Sequence, residues 1–138
     1  MSSGSLSAAV TDESVPRHVP ARTTEAWARH DADAFATLFS PAANVVIAGT
    51  HLVGRDAVRS YMSAAFAGPI RGTRVVSDPE SVDYLTPDVV LLVTTGGVLL
   101  PGETEVSPGR AIRGTWVLVD EGEGWQIRAY HSSPIPQS

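Results

Sequence analysis

Cysteine is missing from this 138-residue chain, which excludes a disulfide framework, a thiolate nucleophile and any cysteine-based metal site. A cluster of basic residues is missing too. Fifteen acids face ten bases, for a net charge of −5, the wrong electrostatic footprint for gripping a phosphate backbone, so nucleic acid is not an expected partner. The longest apolar run, Val89 to Leu100, is interrupted by Thr94, Thr95, Gly96 and Gly97. It falls short of the ~20 residues that a spanning helix requires, and no membrane partner is expected. The opening Met1-Ser-Ser-Gly-Ser-Leu-Ser7 has neither a basic n-region nor an apolar h-region; no secretory signal is read, and the expected compartment is the cytoplasm. What remains is ordinary globular composition, 43% hydrophobic and 18% charged. A domain of about this size buries roughly 68–70% of the surface of its unfolded chain, enough for a proper core.

The clearest positive signal is near the end. Arg113-Gly-Thr-Trp-Val-Leu-Val119 and Trp125-Gln-Ile-Arg-Ala-Tyr-His131, joined by Asp120-Glu-Gly-Glu-Gly124, predict a β-hairpin. With Asp120 opposite Trp125, strict alternation puts Trp116, Leu118, Trp125, Ile127, Ala129 and His131 on one face. That face is apolar with a single titratable group at its end. The other face carries Arg113, Thr115, Val117, Gln126, Arg128 and Tyr130, a mixture that suits a subunit interface.

Upstream, residues 1–14 are Ser-rich and read as a frayed tail. Val15, Val19, Thr23, Trp27 and His30 recur at helical spacing, with Pro16 or Pro20 in the first turn or as a break. Asp31 fits the N-cap of a second helix holding Phe35, Leu38 and Phe39 and ended by Pro41. Asn44–Ala48 and His51–Val53 predict a small hairpin around Gly49. Val58, Tyr61, Met62, Ala65 and Phe66 form the apolar stripe of a third helix that Gly68-Pro69 stops. Thr73 to Leu85, bent at Asp78-Pro79, predicts an edge strand, because proline cannot donate to a central ladder. Val89 to Val93 is apolar on both parities, so both faces of that strand should be covered. A loop from Pro101 to Gly109 then leads to the hairpin.

Three helices followed by an antiparallel meander predict an α+β fold with helices on one face of a curved sheet. The block Trp27…His30-Asp31-Ala32-Asp33-Ala34-Phe35…Leu38-Phe39, the Gly49-x4-Gly54-Arg55 step, Arg113-Gly-Thr-Trp-Val-Leu-Val119 and Gly124-Trp-Gln-Ile127…His131-x-x-Pro134-Ile135 resemble the nuclear transport factor 2-like (SnoaL-like, cystatin-like) superfamily. Within it, they look most like the SgcJ/EcaC family, which is associated with enediyne polyketide antibiotic biosynthesis. The resemblance covers residues 15–135, read as a single domain. It implies a curved antiparallel sheet wrapped around three N-terminal helices, a cone with an internal cavity, and a homodimer through the outer sheet face. It supplies no catalytic motif.

Proton-moving relatives of this kind are expected to keep a carboxylate or an Asp–His pair inside the cone. Here the acids lie in the tail, on helix ends or outer faces, or in turns and loops, and of Asp78, Glu80 and Asp83 on the bent edge strand only Asp83 is a candidate to face inward. His131 is the remaining titratable candidate, either a neutral His bonded to backbone or tyrosine, or a general base. Tyr61, on the inward stripe, is either a core residue or a donor to a ligand carbonyl or to His131. Trp116 is either core or a ligand-stacking ring. Thr94 and Gly96 share the parity of Leu92, and a glycine there removes a side chain from the wall. The four His show no metal-binding spacing, and no dinucleotide fingerprint is present, so neither metal nor cofactor is expected. Three readings stay open. One is a binder of a small lipophilic polyketide or enediyne intermediate, in a cavity walled by Trp27, Phe39, Tyr61, Phe66, Leu92, Trp116, Leu118 and His131. The second is a cofactor-free cyclase, isomerase or dehydratase using His131 with Tyr61. The third is a dimerisation module.

Overall fold

The computed structural model describes residues 15–136; the expected frayed tail, 1–14, lies outside the described residues. Pro16–His18 make one 3₁₀ turn and Pro20 sits in the first turn of α1 (Val19–Ala28). Both prolines occupy positions where a missing N–H costs nothing, so they start the helix and do not break it. Helix α1 ends in a Schellman motif: His30 takes the left-handed conformation at φ 53°, its N–H donates to Trp27 O at 2.8 Å, and Asp31 N–H reaches Ala26 O at 3.0 Å. Asp31 at once caps α2 (Ala32–Thr37), its Oδ1 accepting Ala34 N–H at 2.9 Å.

The second helix is shorter than its periodicity predicts. It stops at Thr37, and Phe39 opens strand β1 (Phe39–Ile47). Pro41 explains the difference, because it pushes Ser40 out of the helical region into extended backbone. Its missing donor is tolerated where pairing between β1 and β6 (Trp125–Pro134) is irregular, between Phe39 and Asn44. Strand β1 turns through Ala48 (φ 51°) and Gly49 (φ 80°) into β2 (Thr50–Val53), the two consecutive positive φ angles of a tight hairpin. Helix α3 (Arg55–Ala67) follows and buries Val58, Met62 and Phe66.

Four long strands complete the chain: β3 (Arg74–Thr86), β4 (Val89–Leu99), β5 (Ile112–Asp120) and β6. The curved, unclosed sheet runs β2-β1-β6-β5-β4-β3. The expected meander is present, but the small hairpin joins it by laying β1 parallel to β6, which makes six strands and one parallel pair. Strand β3 is an edge, as Pro79 requires, with irregular pairing just after that proline. Helices and sheet enclose one apolar core around Val19, Phe35, Phe39, Val45, Met62, Leu92, Leu118 and Ile127. Val90 and Leu92 point into it; Val89, Leu91 and Val93 are half-buried on the outer face.

Candidate functional site

The site is decided by one extra residue in the last strand. Asp120 pairs with Trp125, as alternation predicts, and Leu118 with Ile127, but Val117 then pairs with Ala129. Arg128 is left over as a β-bulge. Its Nη1 donates to Ala42 O at 2.8 Å, anchoring the bulge to β1 where that strand is itself irregular. Beyond a bulge the alternation inverts. Trp116 therefore faces Tyr130, and His131 lies beside Thr115 and Val46 on the outer face, exposed. The inward orientation expected for His131 and the outward one expected for Tyr130 are both corrected by this single residue.

Inside the cone is a cavity of about 120 Å³. Thr23 and Trp27 of α1, Phe35 of α2, and Phe39 and Ile47 of β1 form one side. Val75, Val76, Ser77, Thr94, Gly96, Val98, Ile112, Trp116, Tyr130 and Ser132 of β3 to β6 form the other. Of the residues expected in the wall, Trp27, Phe39 and Trp116 line this cavity, and Thr94 and Gly96 border it from β4. Leu92 and Leu118 are fully buried core beneath the lining. Phe66 packs behind it, 5.7 Å from the Trp27 ring and edge-on at 79°. Tyr61 sits partly buried against the core from α3 without reaching the lining. Tyr61 and His131 are consequently not brought together. Asp83 also faces away, paired with Leu91 and exposed. Strand parity missed Tyr130 and Ser132, because nothing in Gln126-Ile-Arg-Ala129 marks a bulge.

The two indoles are held by hydroxyls. Trp27 Nε1–H donates to Thr73 Oγ1 at 3.0 Å, and that hydroxyl donates to Ile70 O at 2.6 Å. Trp116 Nε1–H donates to buried Thr94 Oγ1 at 3.0 Å, and its ring meets Tyr130 edge-on, 4.7 Å between centroids. Buried Gly114 makes this junction possible. A Cβ there would lie 2.9 Å from Thr94 Oγ1, 3.0 Å from Tyr130 Cε1 and 3.1 Å from Trp116 Nε1. Burial pushes the Tyr130 phenol above its ordinary value, opposed by a hydrogen bond with Ser132, so it stays protonated and able to donate at neutral pH. No lining side chain is charged. The lining offers hydroxyl donors and apolar surface, with no group suited to take a proton at neutral pH.

A wider depression of about 1070 Å³ crosses the α1–α2 junction and α3. It is open to solvent, and its Arg59 is already engaged by Asp56 at 2.8 Å and Asp33 at 3.3 Å. The smaller cavity is the more enclosed of the two and the better candidate, because enclosure is what desolvates a ligand. Among the described residues, no three His, Cys, Asp or Glu side chains group to hold a metal. No helix among them is long and apolar enough to cross a membrane.

The family model for the SnoaL-like domain matches residues 17–138. Among solved structures, the chain is similar to a domain of unknown function with a cystatin-like fold from Nostoc punctiforme, at 28% identity and TM-score 0.81, covering 99% of this chain and 81% of that one. A nuclear transport factor 2-like protein from Novosphingobium aromaticivorans shares 17% identity at TM-score 0.76, over 99% of this chain and 92% of that one. A ketosteroid isomerase-like protein from Erwinia carotovora atroseptica shares 17% identity at TM-score 0.70, over 89% and 95%. No functionally curated protein matches significantly in sequence. With a family model spanning nearly all of the described chain and the cone-shaped architecture that accompanies it, the chain belongs to the SnoaL-like domain family.

Proposed function

We propose that this protein binds a small lipophilic molecule inside the cone. On the strength of the blocks that resemble the SgcJ/EcaC family, we take that molecule to be a polyketide-type or enediyne-precursor intermediate held by an accessory biosynthetic protein. The observation that carries the reading is a cavity lined by fifteen residues without a single charge. Its volume sets a limit: about 120 Å³ is close to the ~150 Å³ of an engineered apolar cavity that accepts benzene. One ring, or one end of a larger molecule, enters at a time. The alternative, a cofactor-free cyclase, isomerase or dehydratase using His131, loses its supporting geometry because His131 is exposed on the outer face. Toluene tests the reading, with protein amide shifts followed by NMR. Saturable binding is expected, and Val98→Phe, which places a ring in the cavity, should abolish it. A folded protein with no saturable toluene binding would overturn the proposal.

The same reading includes a homodimer through the outer sheet face. Leu91, Val93, Val117 and Ala129 form a half-buried apolar strip there, with Arg113, Thr115 and His131 exposed beside it. A stable pair would bury about 1,200–2,000 Å² in total. Sedimentation equilibrium should give twice 14.5 kDa, with Leu91→Glu shifting the protein to monomer. A wild-type species of 14.5 kDa at high micromolar concentration would refute the dimer.

A further inference from the structure

We infer that His30, which lies outside the cavity, is the positioning residue that holds the Trp27 indole in the wall and so sets the size of ligand the cone admits. The inference rests on the binding reading above and adds to it a residue that determines selectivity. A backbone outlier points there. The residue that closes a helix in the left-handed conformation is usually glycine, because a Cβ is strained in it; His30 takes φ 53° instead. Its imidazole supplies a reason. Nδ1 lies 2.9 Å from Trp27 O, and Gly72 N–H donates to Nε2 at 2.8 Å. A carbonyl only accepts and an amide N–H only donates, so the ring is the neutral tautomer with its proton on Nδ1, and both nitrogens are engaged.

The ring reaches Trp27 by two routes. Through the chain, it fixes Gly72, and the next residue, Thr73, supplies the hydroxyl that accepts Trp27 Nε1–H at 3.0 Å and donates to Ile70 O at 2.6 Å. Through packing, it lies on Phe66 at 4.8 Å between centroids and 31° between planes, and Phe66 meets Trp27 edge-on at 5.7 Å. The imidazole itself borders the wider outer depression and is not part of the cavity lining. Residues 68–72, between α3 and β3, are exposed or half-buried. Little core packing holds that connection, so its hydrogen bonds back to the end of α1 decide where Thr73 and the indole sit. An indole is a rigid plate in a close-packed wall, and a small shift of it changes which rings fit a cavity of about 120 Å³.

The test follows the Trp27 indole N–H by NMR in the full-length protein, assigned by its loss in Trp27→Phe, with toluene and naphthalene as probes. In His30→Gly, where glycine preserves the helix end, exchange of that N–H with solvent should quicken about 3- to 10-fold, the range for losing one hydrogen bond's worth of restraint. Naphthalene, which the wild type excludes, should then bind. His30→Asn tolerates the left-handed conformation but is too short to bridge Trp27 O and Gly72 N; it should give the same result, and it serves if the glycine variant does not fold. Thr73→Val removes the indole's acceptor directly, and adding His30→Gly to it should quicken exchange by less than His30→Gly does alone. Unchanged exchange in both His30 variants, or effects that simply add, would overturn the inference and leave His30 as a helix terminator. Faster exchange with naphthalene still excluded would overturn the size selection and keep the positioning. If toluene fails to bind the wild type, the binding reading fails and the size selection with it, while indole exchange still decides whether His30 positions Trp27.

Discussion

Gly96→Ala should be among the most damaging single substitutions in the protein. Its parity on β4 makes this glycine a missing side chain in the cavity wall, but the structure gives it a harder task. A Cβ at Gly96 would lie 1.8 Å from Val76 O and 2.5 Å from Val76 C. Both atoms are backbone, so no rotamer change relieves the contact. Strand β3 must move off β4 around the Ser77–Gly96 pair, and Val76 and Ser77, which line the cavity, must move with it. Overpacking that side chains can absorb costs about 1–3 kcal/mol; a backbone clash belongs at or beyond the upper end. A Tm lower by roughly 10 °C or more is expected, together with loss of toluene binding. Gly109→Ala is the matched control: its Cβ meets nothing within 4 Å, and its melting curve should overlay the wild type. A Gly96→Ala protein that melts normally would show that β3 does not approach β4 so closely.

Trp116→Ala should cost a comparable amount by the opposite mechanism. The indole is 4% exposed, donates to Thr94 and packs edge-on against Tyr130. Removing it leaves a void, and tryptophan-to-alanine changes in cores cost about 3–5 kcal/mol. For a chain of this length that corresponds to a fall in Tm of about 10–20 °C. Unlike Gly96→Ala, this variant should gain cavity volume. Where it remains folded by circular dichroism, it should admit a two-ring ligand such as naphthalene that the wild type excludes. Toluene binding that is unchanged, with naphthalene still excluded, would remove Trp116 from the wall.

At Trp116 sequence and structure agree; at Gly96 they part company. The amphipathic stripe of α3, the capping Asp31, the edge-strand Pro79 and the Asp120–Trp125 register were all legible, because each follows from chemistry within a few residues. The end of α2 was not. Phe39 fits helical spacing, and only the demand of Pro41 on the residue before it, together with a strand place beside β6, moved it into β1. Gly96 was legible as a missing side chain. The reason for it was not, because Val76 is twenty residues away in sequence and becomes its neighbour only in the sheet.

The sequence by itself therefore determined the α+β layering and the apolar concave face, since these depend on residue type and local period; that Asp83 points away from that face was decided by the register of β3 on β4. Tertiary structure alone decided which polar groups enter the cavity. One unpaired residue, Arg128, held by Ala42 O on a strand distant in sequence, exchanges His131 for Tyr130 on the inner face. The physical reason is that alternation has a period of two: a single inserted residue flips every side chain beyond it. What fixes that insertion is a contact between strands, which no pattern along β6 can encode.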